Sequence, residues 1–410
     1  MKVIDLFAGA GGLSEGFRQE GYDIVAHVEM DESASFTLKT REIFYYLKEK
    51  KQLEKYKKYL LGDMSRNQLY GLVPASVLNR VINAEISDDT IDEVFKRIDI
   101  LRNGEKIHMI IGGPPCQAYS VAGRSRDPER MKNDPRNYLY KQYIKFLNRY
   151  EPDYFVFENV KGMLSAGNGK IIQKIREEMC AAGYEIDYKA LNAKDFGVLQ
   201  SRERIVLIGW RKGLECSYPE FEKTEEDATI RELFHDLPPL QAGEAVIPGN
   251  AYVAKVENGY LAKACVRDAG WDVLTQHVAR PNNEQDLKIY KLCVQKWNEE
   301  NVKLKYNELP EHLISHENKK SFLDRFNVVP YDKISHTIVA HISKDGHYYI
   351  HPDIEQNRSL SVREAARVQS FPDNYYFESS RTAAFKQIGN AVPPLMAKKI
   401  AKKMKEVLAS

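Results

Sequence analysis

The chain has few of the features that mark membrane, secreted or metal-binding proteins. Its five cysteines form no Cys-x-x-Cys pair or other metal-ligand spacing, and an odd number is typical of a reduced cytosolic protein. No apolar run of about 18 residues occurs, so we expect no membrane-spanning helix. The first residues enter an apolar stretch at once and leave no room for a signal peptide. We therefore expect a cytoplasmic protein with no metal.

Net charge is also nearly absent, because 60 Lys and Arg face 58 Asp and Glu, a balance of +2. If the partner is nucleic acid, the basic residues must therefore be concentrated locally. The 410 residues suggest one large domain and a smaller one. Alternating strand and helix patterns fade near residue 211. We predict a large domain over 1–210, a small domain over 211–384, and a C-terminal helix over 385–410 that returns to the large domain.

A cysteine and a glutamate each follow an apolar run that predicts a buried strand. Residues 107–111 are stopped by two glycines and two prolines, and Cys116 comes next. Glu158 follows residues 154–157. A right-handed crossover places such strand ends at one edge of a parallel sheet, where open α/β sheets bind ligands. An isolated Pro-Cys is more often an incidental turn, so the pair needs support from the rest of the chain.

A glycine-rich loop at residues 8–12 lies between a predicted strand and a predicted helix. Glycines allow a tight turn, and the amides at the start of a helix can bind a ligand. A second predicted strand ends at Glu29, where a carboxylate can bind ribose hydroxyls. Ser14 stands where the dinucleotide fingerprint has its third glycine, which disfavours a nicotinamide dehydrogenase. Nucleoside binding is the favoured interpretation.

Basic residues are concentrated in three places. Residues 39–60 form a Lys- and Tyr-rich helical stretch, which is more often a solvated surface than a nucleic-acid contact. Residues 117–136 form a long polar segment with five basic residues, typical of a lid or binding loop. Arg202 and Arg204 alternate on a strand and suit a bidentate polar or phosphate contact, or a surface salt bridge.

Two further signals lie near the C-terminus. Ser361 and Glu364 form a capping box that opens a helix running to about Gln369. Residues 387–394 then enter a final helix, in which one face should pack on the large domain. Its apolar positions are Ala397, Ile400, Ala401, Met404 and Leu408.

Six of these segments, in this order, resemble the motifs of the DNA (cytosine-5)-methyltransferases, in particular the prokaryotic restriction–modification type. The resemblance covers roughly residues 1–210 and 335–400. In this family the target recognition domain occupies the part that lies between them. The matching segments are residues 5–12, 114–117, 158–160, 200–204, 358–367 and 387–390.

The resemblance implies an α/β fold, with a Rossmann-like S-adenosylmethionine-dependent large domain and a smaller, irregular, strand-containing target recognition domain. It implies Cys116 as the nucleophile, Glu158 as the residue facing the base ring nitrogen, and Arg204 on the base oxygen, with Arg202 supporting the site or a phosphate. It also implies a cofactor site for S-adenosylmethionine, whose product is S-adenosylhomocysteine. The expected cofactor residues are Phe7, Ala10, Gly11, Gly12, Glu29, Met30, Glu85, Ile86, Pro115, Leu139, Asn390 and Ala391.

The sequence departs from the family at the adenine contact, where an Asp usually ends the third strand. Glu85 is better placed relative to the third predicted strand. The residues next to Asp63 match the family motif more closely, but Asp63 lies far from Cys116. We prefer Glu85 and keep Asp63 as the alternative. Ala122 stands where a small polar residue assists extrusion of the base, so details of base flipping remain open.

The expected partner is double-stranded DNA. A cognate restriction endonuclease would act on the same site without stable contact, in a bacterial cytosol, and we expect a monomer. One alternative is a tRNA cytosine-5 methyltransferase, which the long segment 211–332 disfavours. A catalytically silent DNA-binding relative is the other, and intact Cys116, Glu158 and Arg204 argue against it.

Overall fold

One mixed sheet forms the centre of the protein. The computed structural model describes residues 1–114, 139–256, 259–314 and 323–409. Within them, seven strands pair in a single sheet. They are β1 (Lys2–Leu6), β2 (Asp23–Glu29), β3 (Val81–Asn83), β4 (Met109–Gly112), β5 (Tyr154–Val160), β6 (Tyr184–Asn192) and β7 (Glu203–Arg211).

The helices connect these strands and form much of the remaining chain. Those before β5 are α1 (Gly12–Gln19), α2 (Glu32–Glu49), α3 (Leu53–Leu60), α4 (Arg66–Tyr70), α5 (Ala75–Asn79), α6 (Ile91–Arg102) and α7 (Leu139–Tyr150). Those after β5 are α8 (Gly162–Ser165), α9 (Lys170–Ala181), α10 (Ile230–Phe234), α11 (Tyr260–Lys263), α12 (Glu284–Glu300), α13 (Val362–Val368), α14 (Arg381–Asn390) and α15 (Pro394–Ala409). No helix in the described ranges is long and apolar enough to cross a membrane.

The strand order is β3-β2-β1-β4-β5-β7-β6, and the first five strands in this order are parallel. The order reverses between β1 and β4, so a crevice opens at their carboxyl ends. β7 runs antiparallel to β5 and to β6. The start of β7 therefore lies at the same edge as the end of β5.

Both faces of the sheet are buried, as the unbroken apolar runs of its central strands require. Alternate residues of each strand belong to two hydrophobic cores, with Ile111 and Val156 in one and Ile110 and Phe155 in the other. Helices α1 and α15 pack on the first face, and α6, α7 and α9 on the second. This three-layer arrangement confirms the predicted α/β class.

The predicted capping box and the packing face of the last helix are confirmed. The Ser361 hydroxyl accepts from the Glu364 amide and the Glu364 side chain accepts from the Ser361 amide, opening α13. The four described apolar positions of α15 are buried in the first core: Ala397, Ile400, Ala401 and Met404. The side chain of Leu408 lies outside the described part.

The Lys- and Tyr-rich stretch differs from the single helix that its pattern suggests. It divides into α2 and α3, and Lys51 between them adopts a positive φ of 55°. Tyr56 is fully buried and its ring lies against Phe44. The exposed side chains there are mainly lysines, so the tyrosines serve packing and the surface interpretation agrees with the structure.

The part that follows β7 is irregular, as predicted. Its described β pairing is limited to isolated bridges, such as Ala245 with Val278 and Val328 with Ile350, and it forms no extended strands there. Buried ion pairs replace a continuous sheet as the organising element. Arg358 donates to both oxygens of Glu364 at 2.7 Å, and Arg367 bonds Asp236 and Asp373. Residues 358–367, one of the six segments that match the family motifs, thus form buried salt bridges.

Candidate active site

Two glycines at the end of β4 allow the chain to pass very close to its neighbours. A side chain on Gly112 would lie 2.3 Å from the Leu6 carbonyl oxygen, and one on Gly113 would lie 2.8 Å from Glu158 Oε2. Asn159 Nδ2 donates to the Pro114 carbonyl at 3.4 Å. The segment that leads to Cys116 is therefore held against Glu158. Pro115, Cys116 and the predicted lid 117–136 lie outside the described residues.

Glu158 and Arg204 form an ion pair at this edge. Arg204 Nε donates to Glu158 Oε1 at 2.8 Å, and their side chains are 13% and 14% exposed respectively. The pair forms because β5 and β7 align Val160 with Arg204, one step along the same face from Glu158. Burial raises the pKa of Glu158 above its ordinary value, although the nearby charges of Arg204 and Arg202 act to lower it. A proton on this carboxyl is therefore favoured relative to a solvated glutamate.

Arg202 points to a different place from Arg204. It is 0% exposed, and its guanidinium donates to the carbonyls of Ile338 at 2.6 Å, Gly389 at 3.2 Å and Ala391 at 2.9 Å. The phosphate contact suggested for Arg202 does not fit this position, because the group is fully enclosed and already donates to three carbonyls. The sequence pattern did not predict the enclosed position of Arg202, because Arg202 precedes β7 and does not lie in it.

The glycine-rich loop turns sharply between β1 and α1. Phe7, Gly9 and Gly11 have φ values of 54°, 54° and 76°. A side chain on Gly9 would meet no atom within 4 Å, so its side of the loop is open. Ala10 is tied from behind by Tyr375, whose hydroxyl donates to the Ala10 carbonyl. The loop has the open face and the free helix-start amides that a nucleoside cofactor requires.

Glu29 ends β2 beside this loop. One carboxylate oxygen accepts from the Gly9 amide and the other from the Asp31 amide, both at 2.7 Å. Each oxygen keeps a further lone pair that can accept from a ribose hydroxyl. Burial raises the pKa of Glu29, although the two amides act to lower it. Next to it, Met30 is 61% exposed, an apolar surface available to an adenine ring.

The last motif closes the same site from the other side. A side chain on Gly12 would lie 2.1 Å from the Val392 carbonyl oxygen and 3.2 Å from Ala391 Cβ. The turn after Asn390 thus packs directly on the start of α1. The structure thus brings the loop at residues 8–12, Glu29 and the turn at Ala391 together. The predicted contact of Leu139, the first residue of α7, with the cofactor stays a prediction.

The two candidates for the adenine contact lie in different parts of the fold. β3 ends at Asn83, whose side chain donates to the carbonyls of Glu29 and Met30. Glu85 follows two residues later at the carboxyl edge, and Ile86 beside it is buried. Asp63 is exposed between α3 and α4. Both carboxyl side chains are exposed, so the preference for Glu85 stays a prediction that rests on its place after β3.

A cavity of about 450 Å³ lies beside Arg204. Thr337 in its wall donates from Oγ1 to the Ser201 carbonyl at 2.5 Å, which joins a distant segment to the start of β7. Sequence analysis gave no signal for this residue, because threonine is common and the contact spans 136 positions. The cavity is lined by Val160, Lys161, Gly162, Asn192, Ser201, Glu203, Arg204 and Thr337.

Several polar residues of the middle segment have structural partners. Trp271 is buried and its indole donates to the Val273 carbonyl. Asn283 caps α12 by accepting from the Asp286 amide, and Arg280 donates to the backbone of residues 342–344. Asn282 donates to the Tyr290 hydroxyl. These four residues hold the middle segment together in this structure.

Known proteins share both the sequence and the fold. The chain matches the family of C-5 cytosine-specific DNA methylases over residues 1–63 and 78–406. It is 41% identical to the type II methyltransferase M.Bpa9945I of Bacillus paralicheniformis, over 100% of this chain and 99% of that protein. It is 31% identical to the type II methyltransferase M1.HphI of Haemophilus parahaemolyticus, over 98% of this chain and 86% of that protein.

Solved structures confirm the architecture. A prophage-encoded candidate DNA modification methyltransferase from Escherichia coli covers 100% of both chains with a TM-score of 0.65 and 22% identity. A methyltransferase of Entamoeba histolytica has a TM-score of 0.55 at 14% identity, covering 100% of this chain and 98% of its own. These likenesses confirm the Rossmann-like methyltransferase fold. The sequence matches show that the chain belongs to the C-5 cytosine-specific DNA methylases and is a DNA (cytosine-5)-methyltransferase.

Proposed function

We propose that the enzyme methylates a cytosine flipped out of duplex DNA, through a covalent bond between Cys116 Sγ and C6 of the base. The supporting observation is the Glu158–Arg204 pair, which lies against Gly113 at the edge from which Cys116 follows. A carboxyl group, a guanidinium and a thiol at one edge are the groups that this addition needs.

C5 of cytosine is a weak nucleophile, so it must be activated before it accepts a methyl group. Addition of the Cys116 thiolate at C6 makes C5 enamine-like and divides one difficult step into easier ones. The addition moves negative charge toward N3 and O2 of the base. Glu158 donates a proton to N3 and so neutralises the charge there, and its other carboxyl oxygen accepts a hydrogen bond from the N4 amino group. Arg204 donates to O2.

The burial of the pair supports these roles. A carboxyl with a raised pKa keeps its proton at higher pH, which suits a group that protonates or shares a proton with N3. Donors held in a water-excluded site stabilise developing charge more strongly than donors in water. S-adenosylmethionine supplies an electrophilic methyl group for C5. The C5 proton then leaves to water, and the bond between Cys116 and C6 breaks.

The reacting carbons are covered in a stacked duplex, so the base must leave the helix at a cost on the order of a few kcal/mol. We propose that residues 117–136 close over the extruded base. We also propose that residues 211–384 form the small domain and read the DNA sequence, with 1–210 and 385–410 forming the large domain. A restriction–modification role, with a cognate endonuclease on the same DNA site and a monomeric enzyme, completes the proposal.

A covalent trap tests the mechanism. Bisulfite sequencing of DNA from cells that express the chain first identifies the protected cytosine and its sequence context. A duplex with 5-fluorocytosine at that position should then form a stable protein–DNA adduct in the presence of S-adenosylmethionine, because fluorine cannot leave C5 as a proton does. Denaturing electrophoresis detects the adduct.

The trap has a matched control within the chain. Cys116→Ser should form no adduct. Cys265→Ser should form the adduct as the wild type does, because the Cys265 thiol contacts Lys398 of α15. An active enzyme that methylates DNA without giving an adduct would contradict covalent catalysis. No protected cytosine in DNA, from an enzyme that binds S-adenosylmethionine, would point to RNA as the substrate.

Cofactor binding gives a separate prediction. Glu85→Ala should weaken binding of S-adenosylmethionine by about tenfold, since one hydrogen bond to a charged group contributes about 1.5–3 kcal/mol. Asp63→Ala should leave it unchanged, because Asp63 lies between α3 and α4 and not at the end of a strand of the sheet. Isothermal titration calorimetry measures both affinities. If Asp63→Ala weakened binding and Glu85→Ala did not, Asp63 would be the residue that contacts the adenine.

A further inference from the structure

Arg202 is a buried arginine whose charge is met by backbone carbonyls. Its guanidinium donates to the carbonyls of Ile338, Gly389 and Ala391, and its buried Nε has no hydrogen-bond partner among the described residues. Within the described residues, no carboxylate lies within 4.0 Å of this guanidinium. A buried charge is costly unless its environment is arranged to hold it. Such a costly group, two residues from Arg204, needs an explanation.

Two glutamines extend the contacts of Arg202 into one polar network. Gln200 is fully buried, accepts from the Ile338 amide at 2.8 Å and donates to Gln369 Oε1 at 2.8 Å. Gln369 Nε2 donates to the Ile388 carbonyl at 2.7 Å and the Ala391 carbonyl at 3.3 Å. The Ala391 carbonyl thus receives both Arg202 and Gln369. The network holds this turn to the start of β7 from two directions.

The two ends of the network lie at different parts of the site. At one end, Ala391 packs against Gly12 at the start of α1, beside the cofactor loop. At the other end, the backbone continues from Arg202 to Arg204, whose guanidinium bonds Glu158. Arg202 therefore joins the Ala391 turn directly to the strand that carries Arg204. Among the described residues at the entry to β7, Arg202 is the one whose side chain bonds this turn.

We infer that Arg202 is a positioning residue that couples the cofactor-side turn at Ala391 to the geometry of Arg204. This inference rests on the proposed role of Arg204 at the base. It assigns Arg202 no contact with DNA or with the reacting atoms. It also explains the use of arginine: the planar guanidinium donates from two nitrogens, Nη1 to Ile338 and Nη2 to Gly389 and Ala391, whereas an ammonium group would have to bond all three carbonyls from one atom.

The test compares Arg202→Lys with a matched variant. Arg280 also donates to three backbone carbonyls, of Ile342, Ser343 and Lys344, and its Nε is likewise buried without a partner. Arg280→Lys therefore makes the same chemical change at an arginine that donates to the carbonyls of residues 342–344 and not to that of Ala391. Calorimetry with S-adenosylhomocysteine as the probe measures cofactor affinity, and single-turnover methylation of duplex DNA measures the chemical step.

Arg202→Lys should weaken S-adenosylhomocysteine binding about tenfold and lower the single-turnover rate about tenfold even at saturating cofactor. Arg280→Lys should leave S-adenosylhomocysteine affinity within about twofold of wild type. Arg204→Lys should lower the rate without changing that affinity. If the coupling is as inferred, adding Arg202→Lys to Arg204→Lys should reduce the rate little further, because the group it positions is already altered.

Other results would overturn the inference. A rate loss in Arg202→Lys with unchanged S-adenosylhomocysteine affinity would show that the turn is not coupled, and so would fully multiplicative losses in the double variant. If Arg202→Lys does not fold, Gln369→Met removes the second donor to Ala391 and should show both losses to a smaller degree. Full activity of Arg204→Lys would instead contradict the proposed role of Arg204, while the cofactor measurements would still report on Arg202.

Discussion

Replacing Cys116 with serine is expected to abolish methyl transfer while leaving the binding of S-adenosylmethionine unchanged. The loss should be on the order of 10³-fold or more, the scale of removing a catalytic nucleophile. A thiol with an ordinary pKa of about 8.5 yields some thiolate near neutral pH, whereas a hydroxyl needs an additional base to react. Burial raises the pKa of Glu158 beside this segment and favours its protonated form, which cannot take a proton from a hydroxyl.

Bisulfite sequencing of DNA from cells that express either protein measures the effect. Protected cytosines in one sequence context should disappear in Cys116→Ser, and calorimetry should show unchanged cofactor affinity. The second measurement separates lost chemistry from lost folding. Substantial residual methylation by the serine variant would exclude Cys116 as the nucleophile.

The positions of Glu158 and Glu29 could be anticipated from sequence because each ends or follows an apolar run that forms a parallel strand. Parallel strands joined by crossovers bring their carboxyl ends to one edge, so proximity follows from pattern alone. In the structure, Glu158 lies in the last part of β5, and Glu29 is the last residue of β2. Cys116 itself lies outside the described residues, so its placement remains a prediction.

The roles of Arg202 and Arg204 could not be separated in the same way. Their spacing predicts side chains on one face of a strand, but β7 begins at Glu203 and leaves Arg202 in irregular backbone. Pairing of β7 against β5 is also antiparallel, a choice that neither strand's composition encodes. What Arg202 bonds depends on carbonyls at Ile338, Gly389 and Ala391, which are distant in sequence. Only tertiary structure reveals such contacts.

The middle of the chain was predicted only in character. Its loss of strand and helix periodicity correctly indicated irregular structure, but the hydrophobic contacts and ion pairs that hold it together include partners far apart in the sequence. Arg367 reaches Asp236 across 131 positions and Asp373 across six. Local sequence patterns cannot specify these partners, because they do not distinguish a buried arginine from a surface arginine.

The second large effect concerns Glu158 and its dependence on pH. Glu158→Gln should lower the single-turnover rate by about 10²- to 10⁴-fold, the usual contribution of a positioned proton donor. The amide of glutamine donates a hydrogen bond to N3 but gives up no proton. In the wild type, one limb of the pH–rate profile should belong to Glu158, and that limb should be missing in Glu158→Gln.

Removing the charge of Arg204 should move this limb to higher pH. Arg204 lies 2.8 Å from the Glu158 carboxylate and favours its charged form, so it acts to lower the pKa of Glu158. Arg204→Met removes this lowering effect on the pKa of Glu158. The effect of burial then dominates, and the pKa of Glu158 rises further. The maximal rate should also fall about 10²- to 10³-fold, because the donor to O2 is absent.

A matched control separates this local effect from a general change of charge. Arg231 pairs with Asp332 at an exposed position, so Arg231→Met removes one positive charge far from the edge. Its pH–rate profile should coincide with that of the wild type. A limb that stays in place in Arg204→Met would show that Glu158 does not titrate under the influence of Arg204. A limb that moves to lower pH would show that the arginine raises the pKa of Glu158, contrary to a buried ion pair.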